Sequence, residues 1–144
     1  MPRSKDQQSR SGVAAVEFAF LAPLLLLLVV AGVDFARVYY HLVIMTTAAR
    51  TGAIYASNHP DRAADTEAIK AVVLADTEDL SPDPNVISKT YSDPDTGDPM
   101  VSVTVQWDFQ MLTSYPGIPG TFTLERTVEM RVTPEHPKEP YYYN

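Results

Sequence analysis

Val13-Ala14-Ala15-Val16-Glu17-Phe18-Ala19-Phe20-Leu21-Ala22-Pro23, continued by an unbroken Leu and Val run from Leu24 to Val30, is the stretch on which the reading of this chain turns. The uncharged run from Phe18 to Val33 is 16 residues long; starting from Val13 makes it 21 residues with one carboxylate. At about 1.5 Å per residue that is roughly 31 Å of helix, which matches a bilayer core of about 30 Å. One membrane span is therefore expected over 13–33. A cleaved secretory signal peptide has a similar basic start, but its apolar core is only about 7–15 residues before a small-x-small site. Ala31-Gly32-Val33 is a poor version of such a site. Glu17 also argues against it, because a carboxylate at the centre of a spanning helix costs about 2.5–3.5 kcal/mol, and an intramembrane acid is by default functional.

Ahead of this run lies a polar segment ending at Gly12. It carries Arg3, Lys5 and Arg10 against Asp6, so residues 1–12 hold +2 of a chain whose formal net charge is −7. A short basic N-terminus before a span stays cytoplasmic by the positive-inside tendency, although Arg37 and Arg50 beyond the span make that bias modest. The domain after the span is thus expected outside the inner membrane. It is acidic and has no basic stripe with interleaved aromatics, so no nucleic-acid partner is expected. The 144 residues include no cysteine, which removes disulfides and thiolate chemistry and leaves packing alone to hold the domain.

Gly12 followed by Val13-Ala14-Ala15-Val16-Glu17-Phe18 and a long apolar run resembles the processing site of type IV prepilins. With Leu21-Ala22-Pro23-Leu24 after it, and Thr46-Thr47-Ala48-Ala49-Arg50-Thr51-Gly52-Ala53 further on, the first 57 or so residues are similar to the TadE-like minor pseudopilins of the tight-adherence (Tad/Flp) pilus system. The resemblance implies cutting between Gly12 and Val13 by a membrane-embedded prepilin peptidase, with Gly12, Val13, Glu17 and Phe18 as the processing site. It further implies that Glu17 pairs with the terminal amine on Val13 of a neighbouring pilin or pseudopilin subunit. Breaking a desolvated ion pair costs about 3–5 kcal/mol, enough for a register device. A side chain at position 12 would obstruct close approach by the enzyme; the other reading of Gly12 is a turn before the helix. The implied function is assembly or initiation of an adhesive pilus. A non-polymerising, membrane-tethered periplasmic scaffold or adhesin is the alternative.

Beyond Val33 the apolar stripe continues at spacings of three and four through Phe35, Val38, Tyr39, Leu42, Met45, Ala49, Gly52 or Ala53, and Ala56, and Asn58-His59-Pro60 is a plausible stop. One helix from Val13 to about Ser57 is expected, its extracytoplasmic part being 34–57. Pro23 inside it predicts a kink or a locally melted turn near residues 19–23. Asp34 and Arg37 read as an i,i+3 pair worth about 0.2–0.5 kcal/mol. Tyr39, Tyr40 and His41 suit either the headgroup zone or packing against the domain. The small residues Ala48, Ala49, Gly52, Ala53 and Ala56 invite close approach, by the chain's own sheet more readily than by a partner helix.

The segment 58–133 reads as a small α+β domain. Asp61–Leu80 has a helical pattern, with Asp65 or Thr66 as candidate caps and Ser81-Pro82-Asp83-Pro84 as its end. Val86–Tyr91 alternates weakly, Met100–Phe109 alternates throughout, and Phe122–Val132 alternates if Arg126 is a lapse. The fold class expected is pilin-like α+β: one long N-terminal helix, a second short helix, and an antiparallel sheet of about three strands. Residues 134–144 predict a loose tail with Tyr141–Tyr143 as an incidental feature.

No enzyme chemistry is legible. His41, His59 and His136 fall in a helix, a loop and the tail, and no phosphate loop or nucleophile elbow occurs. No cofactor and no small-molecule substrate are expected. Asp93-Pro94-Asp95-Thr96-Gly97-Asp98 has the carboxylate alternation of a calcium loop's start but lacks the third ligand in step and the bidentate Glu at the twelfth position, and a connecting turn fits at least as well.

Overall fold

The computed structural model describes residues 6–113, 115 and 117–133, with side chains from Gly12 onward. Arg3, Lys5, His136 and the tail with Tyr141–Tyr143 lie outside what is described, as does the side chain of Arg10. The element order is α1 (Asp6–Ser57), α2 (Pro60–Ala64), α3 (Thr66–Ala75), β1 (Asn85–Ser92), β2 (Pro99–Gln110) and β3 (Thr121–Arg131). The α+β class and the long N-terminal helix agree with the expectation. Two compact units are present: residues up to Arg37 with Met111–Gly120, and Val38–Gln110 with the residues from Thr121 on.

α1 differs from the expected helix in two ways. It begins at Asp6 rather than Val13, so Gly12 is a helix residue and not a turn before one. It also runs through Pro23 without interruption, so of the kink or melted turn expected near residues 19–23 the melted turn is absent. A spanning helix accommodates a proline where local adjustments satisfy the freed carbonyl. The stop is where it was expected, at Ser57, before Pro60 starts α2 at its N1 position.

The expected single helix over Asp61–Leu80 is two helices. Asp65 adopts φ −86°, ψ 83°, outside the helical region, and its Oδ1 accepts the Ala68 N–H at 3.0 Å, which makes it the cap of α3. The apolar periodicity runs across this break, which is why it reads as one helix. α3 ends at Ala75, and a turn carries Thr77 and Leu80 into the core ahead of Pro82. Thr77 is tolerated there because its hydroxyl donates to the Val73 carbonyl at 3.1 Å.

The three strands form an antiparallel meander in the order β1-β2-β3. In β2 the alternation sets Val101, Val103, Val105 and Phe109 into the core, and the register places Val103 opposite Ser88 and Val128. The other face is a ladder of polar pairs: Thr104 with Thr127 at 2.8 Å, Gln106 donating to Glu125 at 2.8 Å, and Thr123 donating to Asp108 at 2.6 Å. Arg126 is the expected lapse, and its position explains it. It faces Val105 in register but is exposed on an edge strand, donating to the Glu125 carbonyl.

The Asp93–Asp98 stretch is the β1–β2 turn. Asp93 Oδ1 accepts the N–H groups of Asp95 at 2.8 Å and Thr96 at 3.0 Å, and Gly97 supplies a φ of 73°. The Thr96 and then the Asp95 amide hold the Asp93 carboxyl below its ordinary range. Asp98 is paired with Arg131 at 2.8 Å. Two of these carboxylates thus have structural partners within the turn and β3.

Within the second unit, Met45, Ala48, Ala49, Ala53 and Ala56 of α1 are fully buried together with Ile69, Val73, Val101, Val103 and Val105. The small residues therefore receive the chain's own sheet, as expected, and α3 as well. Gly52 is the tightest point: a Cβ there would lie 2.6 Å from Val73 Cγ2 and 3.4 Å from Val103 Cγ1. Val73 is fully buried and β-branched, so it cannot rotate aside. Gly52→Ala gains about 1 kcal/mol of helix propensity but incurs about 1–3 kcal/mol of overpacking. A net loss of about 1 kcal/mol is expected in denaturant unfolding of the full chain in detergent. Adding Val73→Ala should make the glycine replacement neutral or favourable, and equal effects in both backgrounds would count against the contact.

Candidate functional site

Gly12, Val13, Glu17 and Phe18 all lie on α1 and are all exposed. Val13 and Glu17 are four residues apart, which on a helix places them one above the other on one face. An added Cβ at Gly12 would meet nothing within 4 Å, so the fold itself does not require a glycine there. Glu17 has no hydrogen-bond or ion-pair partner among the described residues. It stands as a lone carboxylate on a surface otherwise made of Val16, Phe18, Phe20, Leu21 and Leu24, all exposed.

The helix over Gly12–Ser57 is long and apolar enough to cross a membrane, and none of its most apolar window is buried. A core helix of a soluble protein would have that surface covered. The apolar N-terminal helix is thus compatible with a single-pass anchor.

At the end of the apolar run stands a residue whose importance the sequence understated. Asp34 is 4% exposed. Its Oδ1 accepts from Arg37 Nη1 at 3.1 Å and from the Leu112 backbone N–H at 3.1 Å, while Oδ2 accepts from the Tyr115 hydroxyl at 3.3 Å. The expected i,i+3 pair is present, but it is one part of a node that ties the β2–β3 connection to the helix. Partial burial, then the nearby Asp34 charge, push the Tyr115 phenol above its ordinary range, so it stays protonated and donates. The only sequence signal for this was an acid directly after an apolar run. Its partners lie 78 and 81 residues away.

Of Tyr39, Tyr40 and His41, His41 packs against the domain. Both tyrosines are exposed, whereas His41 is half-buried, with its ring centroid 4.8 Å from Trp107 and 5.7 Å from Phe109. Phe109 in turn meets Phe122 at 5.4 Å, and the Trp107 indole donates to the Pro82 carbonyl at 2.8 Å. His59 is a helix cap, its Nδ1 accepting the Asp61 N–H at 3.2 Å. The same Nδ1 lies 3.5 Å from the exposed Asp61 carboxylate. No group of three or more His, Asp or Glu residues able to hold a metal ion occurs among the described residues.

No curated protein and no solved structure matches the chain. Residues 12–53, the part of α1 that holds Gly12, Glu17, the apolar run and most of the small-residue stripe, match the family model described as TadE-like protein, so over that segment the chain is similar to TadE-like proteins.

Proposed function

We propose that this chain is a minor pseudopilin, cleaved between Gly12 and Val13 by a prepilin peptidase and taking part in assembly or initiation of an adhesive pilus. The TadE-like match over residues 12–53 supports a role in the Tad pilus system. In this reading α1 crosses the inner membrane once, residues 1–12 are a cytoplasmic leader, and the α+β domain lies outside. The protein acts by binding other pilin or pseudopilin subunits and catalyses nothing.

The observation that carries the proposal is the isolation of Glu17. An acid on a lipid-facing helix surface is costly and is retained where it has work to do. Its own chain offers no partner among the described residues. The amine released at Val13 of an adjacent subunit would neutralise it. Gly12 supports the same reading, since a glycine inside a helix is about 1 kcal/mol less favourable than alanine and nothing in this fold calls for one. A weak point in the helix and a bare backbone both assist a protease.

Intact mass measurement of the membrane form tests this. Co-expression with a prepilin peptidase should yield a chain beginning at Val13, and Gly12→Val should leave the leader in place. A chain that still begins at Met1 or Pro2 in the presence of an active peptidase would favour the tethered scaffold or adhesin instead.

A further inference from the structure

The β2–β3 connection, Met111–Gly120, belongs to the same compact unit as the apolar half of α1. Asp34, to which it is bonded through Leu112 and Tyr115, is the first residue after the uncharged run ending at Val33. The loop is therefore held at the level of the helix where the apolar surface ends. Its composition suits that level. No residue from Met111 to Gly120 is charged, in a chain of which 20% is Asp, Glu, Lys or Arg. Leu112 is 61% exposed and Ile118 51% exposed, so neither finds apolar cover in the described chain.

Part of the loop's backbone is bonded within this unit: the N–H of Met111 donates to the Gly120 carbonyl at 2.9 Å, that of Ile118 to the Tyr115 carbonyl at 3.1 Å, and that of Leu112 to Asp34. Irregular backbone with polar groups still to satisfy suits the hydrated interface and not the hydrocarbon core. Tyr115 adds an aromatic ring with a polar tip, the side chain favoured at headgroup depth.

We propose that the Met111–Gly120 loop is a second membrane contact, laying Leu112 and Ile118 into the interfacial zone of the bilayer that α1 crosses. This rests on the reading of α1 as a span. Lipid is the occupant because the patch continues the lipid-facing surface of the helix: Val33 and Phe35, on either side of Asp34, are exposed as well. The buried Asp34 carboxylate is the positioning residue. Drawing the subunit out of the membrane into a filament then requires lifting the loop from lipid as well as the helix.

The chain has no cysteine, so single-cysteine labelling is clean. The full chain is reconstituted at no more than one copy per vesicle of phosphatidylcholine and phosphatidylglycerol. An environment-sensitive fluorophore is placed on Leu112→Cys or Ile118→Cys, with Phe20→Cys as the lipid reference and Lys89→Cys as the water reference. Nitroxide-bearing lipids are the quencher. Quenching at 112 and 118 should exceed that at 89 by about threefold or more, as for side chains immersed at the interface. Introducing Asp34→Ala should lower quenching at 112 while leaving Phe20→Cys unchanged. Water-like values at 112 and 118 beside a quenched Phe20→Cys overturn the loop proposal alone. Water-like values at Phe20→Cys overturn the span with it. Shielding that appears only at high protein density assigns the patch to a second copy and overturns the lipid assignment.

Discussion

Replacing Phe109 by alanine is expected to destabilise the domain by about 3–5 kcal/mol, the usual cost of removing a buried phenyl ring. Phe109 is fully buried and meets His41, Trp107 and Phe122. The rest of the helix-facing core is built largely of alanine and valine, which cannot flow into the space a lost ring leaves. Trp107 is the chain's one tryptophan, its ring centroid 6.3 Å from that of Phe109, so its fluorescence reports directly on this unit. Denaturant unfolding of the full chain in detergent should show the loss as a shift of midpoint with little change of slope. A shift of less than about 1 kcal/mol would mean that the ring is not a principal source of packing energy.

Glu17→Ala is expected to leave membrane insertion intact and to reduce incorporation into filaments about a hundredfold or more. The estimate follows from the 3–5 kcal/mol for losing one partner of a desolvated ion pair, at about 1.4 kcal/mol per factor of ten. If the chain is cut before Val13 as proposed, that processing should continue, because Glu17 lies a helical turn from the bond. The mutant is thus expected to be mature, membrane-bound and excluded. Comparing its abundance in sheared filaments and in membranes measures this directly, and unchanged incorporation would remove Glu17 from any role in register. Glu17→Gln separates charge from polarity: pairing with an amine predicts that it fails nearly as badly as alanine.

How far the sequence carried the reading depends on how local each determinant was. The long apolar helix, the strand at Met100–Phe109 and the choice of Asp65 or Thr66 as a cap were legible because hydropathy, alternation and capping act over a few residues. The stripe of small residues was legible as a contact surface, yet the sharing of Gly52 between Val73 and Val103 was not, since it depends on where α3 docks. The break at Asp65 was hidden because the apolar pattern continues through it. Asp34 was misjudged most. A pair with Arg37 satisfied the local pattern, and nothing nearby announced that a loop 78 residues on would close over it. At the candidate processing site the residues themselves were readable throughout, because all lie within one helix. The exposure of Glu17, with no partner among the described residues, needed the structure.

The seam of Ala48, Ala49, Gly52, Ala53 and Ala56 has a thermodynamic consequence. Alanine and glycine have no rotamers to freeze, whereas a leucine surrenders about 0.5–1 kcal/mol of side-chain entropy on burial. Five such positions spare the fold roughly 2.5–5 kcal/mol of ordering cost relative to a leucine seam, set against the smaller apolar area they hide. A modest domain without a single disulfide can in this way gain definition from close backbone approach.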